Sequence, residues 1–344
     1  MRSRFTRLLG NDETRLRLSD AVLGGTLPHA LLIAGPRGSG KHTLAYEIAA
    51  AANCERRDDG SYALPCGKCG CCRRIYSGNF PDLSTLSREG GKATIGVEEL
   101  RAFRADMFLS ATESQYKFYI IEDADTMTPA AQNALLKVLE EPPRSVHILL
   151  LATETDKILS TIKSRTQHVQ TELFEYEELR SCVTELSEVA ESLSRSDPNR
   201  LRGILLASGG VIGRALGYLD DKSIAAIESD RDSVKKLVAA FSGKTPFSEL
   251  YVTVTALPEK RGELRDILEL LITALRDMIT LKLSDNAMPL FFLSRDECED
   301  AASGIGTKRL IAIYDIIVTA VEDIDKNVLI QPLLTDIAVK IKEV

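Results

Sequence analysis

A glycine-rich segment near the start of the chain has the residue types and spacing of a phosphate-binding loop. Residues 35–41 read GPRGSGK, which fits the pattern G-x4-G-K. In a P-loop of this kind backbone N–H groups cradle phosphates, and the lysine reaches the terminal ones. The candidate nucleotide-binding residues of this loop are Gly35, Gly38, Gly40 and Lys41.

The position after the lysine lacks the oxygen ligand that magnesium prefers. P-loops have Ser or Thr there, whose hydroxyl binds Mg²⁺, whereas this chain has His42. Imidazole is a poor ligand for a hard cation that prefers oxygen. Thr43 lies about 100° further round the helix and is not expected to take over the metal, although it stays in the nucleotide-binding set. The loop predicts phosphate binding with ATP as the candidate cofactor, but it does not favour Mg²⁺-dependent hydrolysis.

An acidic motif further along the chain also departs from the pattern of hydrolytic NTPases. The apolar run 118–121 leads into Glu122-Asp123, where a working NTPase of this kind has Asp and then Glu. Exchanging the two changes the reach of each carboxylate by one methylene, and a misplacement of about 1 Å can cost a large factor in rate. Glu122 and Asp123 are therefore kept as nucleotide-site candidates that are poorly arranged for hydrolysis.

Five of the seven cysteines lie between Cys54 and Cys72, in a chain whose N-terminus shows no apolar signal core. Cys54, Cys66, Cys69 and Cys72 have the spacing C-x11-C-x2-C-x2-C, which suits a closed tetrahedral Zn²⁺ site. Cys71 is adjacent to Cys72, and either could be the last ligand. The regular spacing favours Cys72. We therefore expect a structural zinc site rather than a disulfide framework.

The elements that must position these residues alternate between strand and helix in the first half. Apolar runs of strand length occupy 29–34, 117–121 and 146–152, and helices are predicted from Lys41 to about Ala52 and after an N-cap at Thr128. This alternation predicts an α/β fold with a parallel sheet. After about residue 171 the apolar spacing is helical. The predicted domains are 1–171 with the P-loop and zinc module, a small helical unit at 172–221, and a helical domain at 222–344.

Composition and charge restrict the class of protein. Of the 344 residues 44% are hydrophobic and 27% charged, as in ordinary soluble globular proteins. The longest apolar runs are far below the roughly 20 residues of a membrane span, so no membrane contact and a cytoplasmic location are expected. The formal net charge of −7 gives no support for a protein that grips DNA alone.

Several segments together resemble the bacterial clamp-loader subunits of DNA polymerase III, which are members of the AAA+ group. Residues 27–30 read LPHA, residues 133–143 read NALLKVLEEPP, and the cysteine module follows the P-loop helix. The resemblance implies an AAA+ P-loop domain, a helical lid and an all-α collar domain. Asn327, followed by Pro332-Leu333-Leu334, is similar to the last collar helix.

The resemblance also implies roles for three further residues. Thr153 stands where the family has its sensor-1 residue, and Arg214 in SGGVIGRAL (208–216) stands at the sensor-2 position. Ser164-Arg165-Thr166 resembles the family's Ser-Arg-Cys motif, with Thr166 in place of Cys. Arg165 would then act in trans, as an arginine finger at the ATP site of a neighbouring subunit.

Within the family two types are candidates, the delta-prime type and the ATP-hydrolysing gamma/tau motor. His42, the inverted acidic pair and a chain that ends at the collar favour delta-prime, while the retained glycines and Lys41 favour gamma/tau. Either would work in a hetero-oligomeric ring that loads a sliding clamp on primer-template DNA during DNA replication. A stand-alone zinc-containing DNA-binding protein is the alternative from another class of protein. Whether this chain itself hydrolyses ATP is left open by the sequence.

Overall fold

The computed structural model describes residues 4–88, 94–109, 111–143, 145–241, 245–284, 289–326 and 328–344. Asn327 lies outside the described residues. The chain divides into two compact units. The first comprises Met1–Phe174 and Val211–Gly213, and the second comprises Glu175–Gly210 and Arg214–Val344.

A parallel five-stranded sheet forms the centre of the first unit, within the part of the chain that the structure describes. Its strands are β1 (Ala30–Ala34), β2 (Leu83–Leu86), β3 (Lys117–Ile121), β4 (Val146–Ala152) and β5 (Gln167–Gln170). They lie in the order β2-β3-β4-β1-β5. The predicted α/β class is confirmed. The apolar runs correctly predicted β1, β3 and β4. β2 has two leucines in four residues and β5 has one apolar residue in four, so neither gave such a signal.

Both faces of the sheet are covered, which explains why its central strands are continuously apolar. Along β1, Leu31 and Ile33 pack against residues of the first two helices, while Leu32 packs on the opposite face. β1, β3 and β4 are buried along their whole length. Successive side chains of a strand point to opposite faces, so burial on both faces requires an unbroken apolar run.

The helices of the first unit are α1 (Asp12–Leu23), α2 (Lys41–Ala52), α3 (Gly70–Tyr76), α4 (Val97–Met107), α5 (Pro129–Glu140) and α6 (Ser160–Lys163). The predicted bounds of α2 are confirmed. The Thr128 hydroxyl accepts from the Ala131 N–H and caps α5, with Pro129 at the first helical position as expected. α5 ends just before Pro142-Pro143. Proline restricts the residue before it to extended backbone, which stops the helix there.

The second unit is helical. Its helices are α7 (Tyr176–Leu186), α8 (Glu188–Ser196), α9 (Pro198–Ala207), α10 (Ile212–Gly217, whose first two residues are counted with the first unit), α11 (Asp221–Ala240), α12 (Phe247–Thr255), α13 (Arg261–Leu283), α14 (Arg295–Ala302), α15 (Thr307–Asp325) and α16 (Ile330–Glu343). The apolar stripe of α13 is buried in a core shared with α11, α12 and α14–α16. None of the helices in the described part of the chain combines the length and apolar character that a membrane span requires.

Asp82 fixes the loop before β3 to the start of β2. Its buried carboxylate accepts hydrogen bonds from the backbone N–H groups of Thr112, Glu113 and Ser114 and from the Ser114 hydroxyl. Burial acts to raise the pKa of Asp82, but these four bonds to the charged form outweigh it and hold the pKa below its ordinary value of 3.8.

We expect Asp82→Asn to lower the free energy of unfolding by about 2–3 kcal/mol, because an amide cannot accept all four hydrogen bonds. A group whose pKa is depressed by folding stabilises the fold above its unfolded pKa and loses that contribution as the pH falls through the folded value. The difference between wild type and variant should therefore be full near neutral pH and shrink below about pH 4.

Urea unfolding followed by circular dichroism at several pH values measures this difference. Asp58→Asn is the matched control, since the Asp58 side chain is 79% exposed. A difference that stayed constant down to pH 2, or equal losses in both variants, would contradict the role of Asp82.

Candidate nucleotide site and metal centre

The P-loop lies at the carboxyl end of β1 and is fixed to the end of β5. The Ser39 and Thr171 hydroxyl oxygens are 2.7 Å apart, and the Thr171 hydroxyl donates to the Ala34 carbonyl over 3.1 Å. A Cβ at Gly35 would lie 1.9 Å from Thr171 Oγ1, so only glycine fits there. The loop is thus held closely against the sheet. Its predicted glycines Gly35, Gly38 and Gly40 all have positive φ.

Lys41 begins α2 and folds back over the loop. Its Nζ donates to the carbonyl oxygens of Gly35 at 2.6 Å and Pro36 at 2.9 Å. The ammonium group is thus held at the loop that leads into the N-terminus of α2, and both groups favour an anion. The loop's outer side is held by the Gly213 N–H, which donates to the Gly38 carbonyl over 3.1 Å. This arrangement is chemically suited to phosphate.

His42 and Glu122 contact each other directly. His42 Nε2 lies 2.8 Å from Glu122 Oε1, and the imidazole ring is tilted against the Tyr46 ring with 4.5 Å between centroids. The two residues that stand at the metal-binding positions of the motifs are thus brought together. Thr43, the other residue of this turn in the predicted set, is half-buried in the first turn of α2.

Asp123 does not join Glu122 at the phosphate loop. It adopts the left-handed conformation with φ 47°, and its Oδ2 accepts from Arg88 Nη2 at 2.7 Å and Nε at 3.2 Å. The neighbouring Asp125, which the sequence analysis did not single out, accepts from the backbone N–H groups of Thr153 and Glu154. Thr153 is exposed and directly follows β4. The acidic pair is therefore divided between two different partners.

Arg214 belongs to the second unit, where it is exposed on α10 and interacts electrostatically with Asp266. Burial, and next the nearby Glu269, raise the pKa of Asp266, and Arg214 opposes that shift. The sensor-2 role of Arg214 stays a prediction.

Arg165 lies just after α6 and is half-exposed. Its Nη2 is 2.8 Å from Glu140 Oε1 on α5, and its Nη1 donates to the Thr161 carbonyl over 3.0 Å. The Glu140 side chain is 50% exposed. Sequence reasoning missed this partner, although Glu140 is part of the NALLKVLEEPP segment. No spacing rule would have found it, because the pair joins two helices 25 residues apart.

The four predicted cysteine ligands converge on one point. The sulfurs of Cys54, Cys66, Cys69 and Cys72 all lie within 4.8 Å of one another, and all four residues are buried. A tetrahedral zinc site with Zn–S bonds of about 2.3 Å separates its sulfurs by about 3.8 Å. The distance of 4.0 Å between Cys66 and Cys72 agrees with that value. The donor set and its geometry fit Zn²⁺.

Cys71 stays outside this cluster. It is only partly buried, and its backbone N–H donates to Glu55. The question that the spacing left open is thus answered by position, since Cys72 Sγ is in the group and Cys71 Sγ is not. The two follow each other at the start of α3, and a helix turns successive side chains by about 100°.

Backbone N–H groups support the sulfurs. Those of Cys66, Cys69 and Cys72 each donate to the sulfur of the preceding cysteine in the set at 3.4 Å. A hydrogen bond from the Cys72 thiol lowers the pKa of Cys54 to about 5 and raises that of Cys72. Thiolate rather than thiol is the form of cysteine that binds a metal, so the lowered pKa of Cys54 favours a cation at this cluster.

The sequence of the chain is similar to those of several DNA polymerase III subunits. Residues 10–174 match the family described as "DNA polymerase III, delta subunit". The DNA polymerase III subunit gamma/tau of Mycobacterium bovis is 33% identical over 184 residues, which are 54% of this chain and 31% of that protein. The subunit tau of Bacillus subtilis is 32% identical over 272 residues, which are 78% of this chain and 45% of that protein.

Among solved structures, a DNA polymerase III gamma subunit-related protein of Thermotoga maritima aligns over 96% of this chain and 98% of its own, with 19% identity and a TM-score of 0.44. The chain spans less than half the length of the two curated relatives. The chain is thus similar in sequence to several subunits of DNA polymerase III, and the matches do not distinguish among them.

We expect the folded chain to bind one zinc ion, and Cys72→Ser to lose most of it because three thiolates leave the tetrahedral site open. Cys71→Ser is the matched control, being the adjacent cysteine outside the cluster, and should keep the metal. Elemental analysis of the purified proteins measures zinc per chain. Zinc retained by Cys72→Ser and lost from Cys71→Ser would reverse the assignment, and no zinc in the wild type would contradict the site itself.

Proposed function

We propose that this chain is a clamp-loader subunit of the replicative DNA polymerase III, working in a hetero-oligomeric ring that places a sliding clamp on primer-template DNA. The sequence relatedness to gamma and tau subunits supports the family-level role. The single observation that carries the assignment is a built phosphate loop in the same unit as a half-exposed Arg165. The phosphate loop suits a protein that binds nucleotide, and the half-exposed Arg165 suits contact with a neighbouring subunit.

Within that family we assign the chain to the delta-prime type. His42 replaces the hydroxyl ligand of magnesium, and its ring contacts Glu122. The second acid, Asp123, is paired with Arg88. A gamma/tau motor is the second candidate. It is favoured by the named relatives and by the complete set of loop glycines with Lys41.

Arg165 acts, in this proposal, as an arginine finger at a neighbouring subunit's ATP site. Its pairing with Glu140 is between side chains that are 36% and 50% exposed. Exposed ion pairs contribute about 0–1 kcal/mol, so the triphosphate of a neighbour can compete for the guanidinium at little cost. The planar guanidinium group, which can donate two hydrogen bonds side by side, then stabilises the charge that develops during phosphoryl transfer.

Arg165→Ala should leave folding and zinc content unchanged while lowering ATP turnover of the reconstituted assembly, because the missing charge acts on another subunit's transition state. At the site it serves the loss should be on the order of 10³-fold. Arg165→Lys should restore ATP turnover only partly, since lysine keeps the positive charge but lacks the planar guanidinium group. The measurement is ATP turnover and clamp loading by a complex in which this subunit alone is altered.

The matched control for that experiment is Arg195→Ala, which removes an arginine that is 76% exposed and paired within its own helix. It should leave turnover unchanged. Equal turnover in the Arg165→Ala and wild-type assemblies would make Arg165 an ordinary surface arginine and end the trans-acting role.

The isolated chain should turn over ATP at least about 100-fold more slowly than a gamma-type subunit under the same conditions, because a loss of metal ligation and of the water-orienting acid removes several kcal/mol of transition-state stabilisation. Phosphate release at saturating ATP and Mg²⁺ measures it. Turnover equal to that of the gamma-type subunit, abolished by Lys41→Ala, would contradict the delta-prime assignment and favour the motor.

A further inference from the structure

The contact of His42 with Glu122 lies where a P-loop protein holds its magnesium ion, and these residues do not fit that ion. We propose that the His42–Glu122 pair replaces the divalent metal, so that this loop binds a nucleoside di- or triphosphate without Mg²⁺. The inference rests on the proposed nucleotide binding and adds its metal requirement.

The first step concerns the atoms of the pair. His42 Nε2 lies 2.8 Å from Glu122 Oε1, so a metal ion that bound this carboxylate oxygen would compete with the imidazole for it. An imidazole nitrogen is itself a poor ligand for a hard cation that prefers oxygen. Mg²⁺ also demands near-octahedral oxygen ligands at about 2.0–2.1 Å. His42 thus takes the place of the hydroxyl ligand, and the carboxylate of Glu122 is already in contact with the imidazole.

The second step concerns replacement ligands from the neighbouring acids. Asp123 Oδ2 is engaged by two nitrogens of Arg88. The two carboxylate oxygens of Asp125 accept from the Thr153 and Glu154 backbone. Each acid that follows β3 is therefore already used in a contact that a metal would have to break.

The third step concerns charge. The Lys41 ammonium group and the N-terminus of α2 face the loop, and both favour phosphate oxygens without a cation. Tyr46, one turn along α2 from His42, packs against the imidazole and fixes its orientation. The anion site is therefore complete in protein groups, and adding Mg²⁺ should change its affinity little.

The test is the affinity for ADP, measured by calorimetry once with excess Mg²⁺ and once with EDTA. Wild type should bind with dissociation constants that agree within about twofold. His42→Thr and His42→Ser restore a hydroxyl and release Glu122, so each should bind at least about tenfold more tightly with Mg²⁺ than with EDTA, a gain of about 1.4 kcal/mol. His168→Thr is the matched control, an exposed histidine of β5 in the same unit, and should behave as wild type.

The inference would be overturned by tenfold tighter wild-type binding with Mg²⁺, by no magnesium response in either hydroxyl variant, or by no ADP binding by any variant under either condition. Lys41→Ala should abolish binding, which assigns the signal to the P-loop, and binding that survived it would also overturn the inference. Zinc content and circular dichroism verify that each variant is folded. The arginine-finger experiment reads the turnover of a neighbour's site, so its failure and a failure here are distinguishable.

Discussion

The parallel pairing of β1 with both β4 and β5 is the constraint on which the first unit depends. Strands that run the same way have their carboxyl ends at one edge of the sheet, and ligand sites of open α/β folds form there. The loop after β1, Glu122 after β3, Thr153 after β4 and Thr171 after β5 reach that edge from widely separated parts of the chain. Without this pairing Thr171 could not hold Ser39, and the glycine turn would have no fixed shape.

Much of this architecture could be predicted because its central elements carry strong periodic signals. Strands buried on both faces must be apolar throughout, and Thr128 with Pro129 is a local N-cap whose partners lie within one turn. β5 gave no signal because only Val169 of its four residues is buried. An edge strand needs few apolar residues, so backbone pairing with β1 determines it more than its composition does.

The sequence indicated the individual residues of the candidate site, but it did not indicate which of them contact each other. The zinc ligands lie in a short segment, where spacing alone restricts geometry, and the chosen set is the one whose sulfurs converge. His42 and Glu122 were each identified as departures from a motif, but their contact joins a helix to a strand end 80 residues away. The same is true of Arg165 with Glu140. Such partners depend on how elements pack, which periodicity does not encode.

The metal centre and the phosphate loop are connected through one helix. α2 carries Lys41 and His42 in its first turn, and its other half contacts the cysteine module through Ala50. Glu47, in the middle, is fully buried and accepts a hydrogen bond from the Tyr76 hydroxyl of α3. Burial is the main cause that raises the pKa of Glu47. The cysteine module thus packs along α2, and the glycine-rich loop leads into the opposite end of the same helix.

The short return of the chain at Val211–Gly213 has a consequence for the order of synthesis. The first unit is left at Phe174, yet its P-loop carbonyl at Gly38 is bonded by an N–H that follows 39 residues later. Chains fold from the N-terminus as they are made, at about 5–20 residues per second. Several seconds therefore pass, while α7, α8 and α9 are synthesised, before the phosphate loop can form its hydrogen bond with the Gly213 N–H. A fragment truncated at 174 would never receive it.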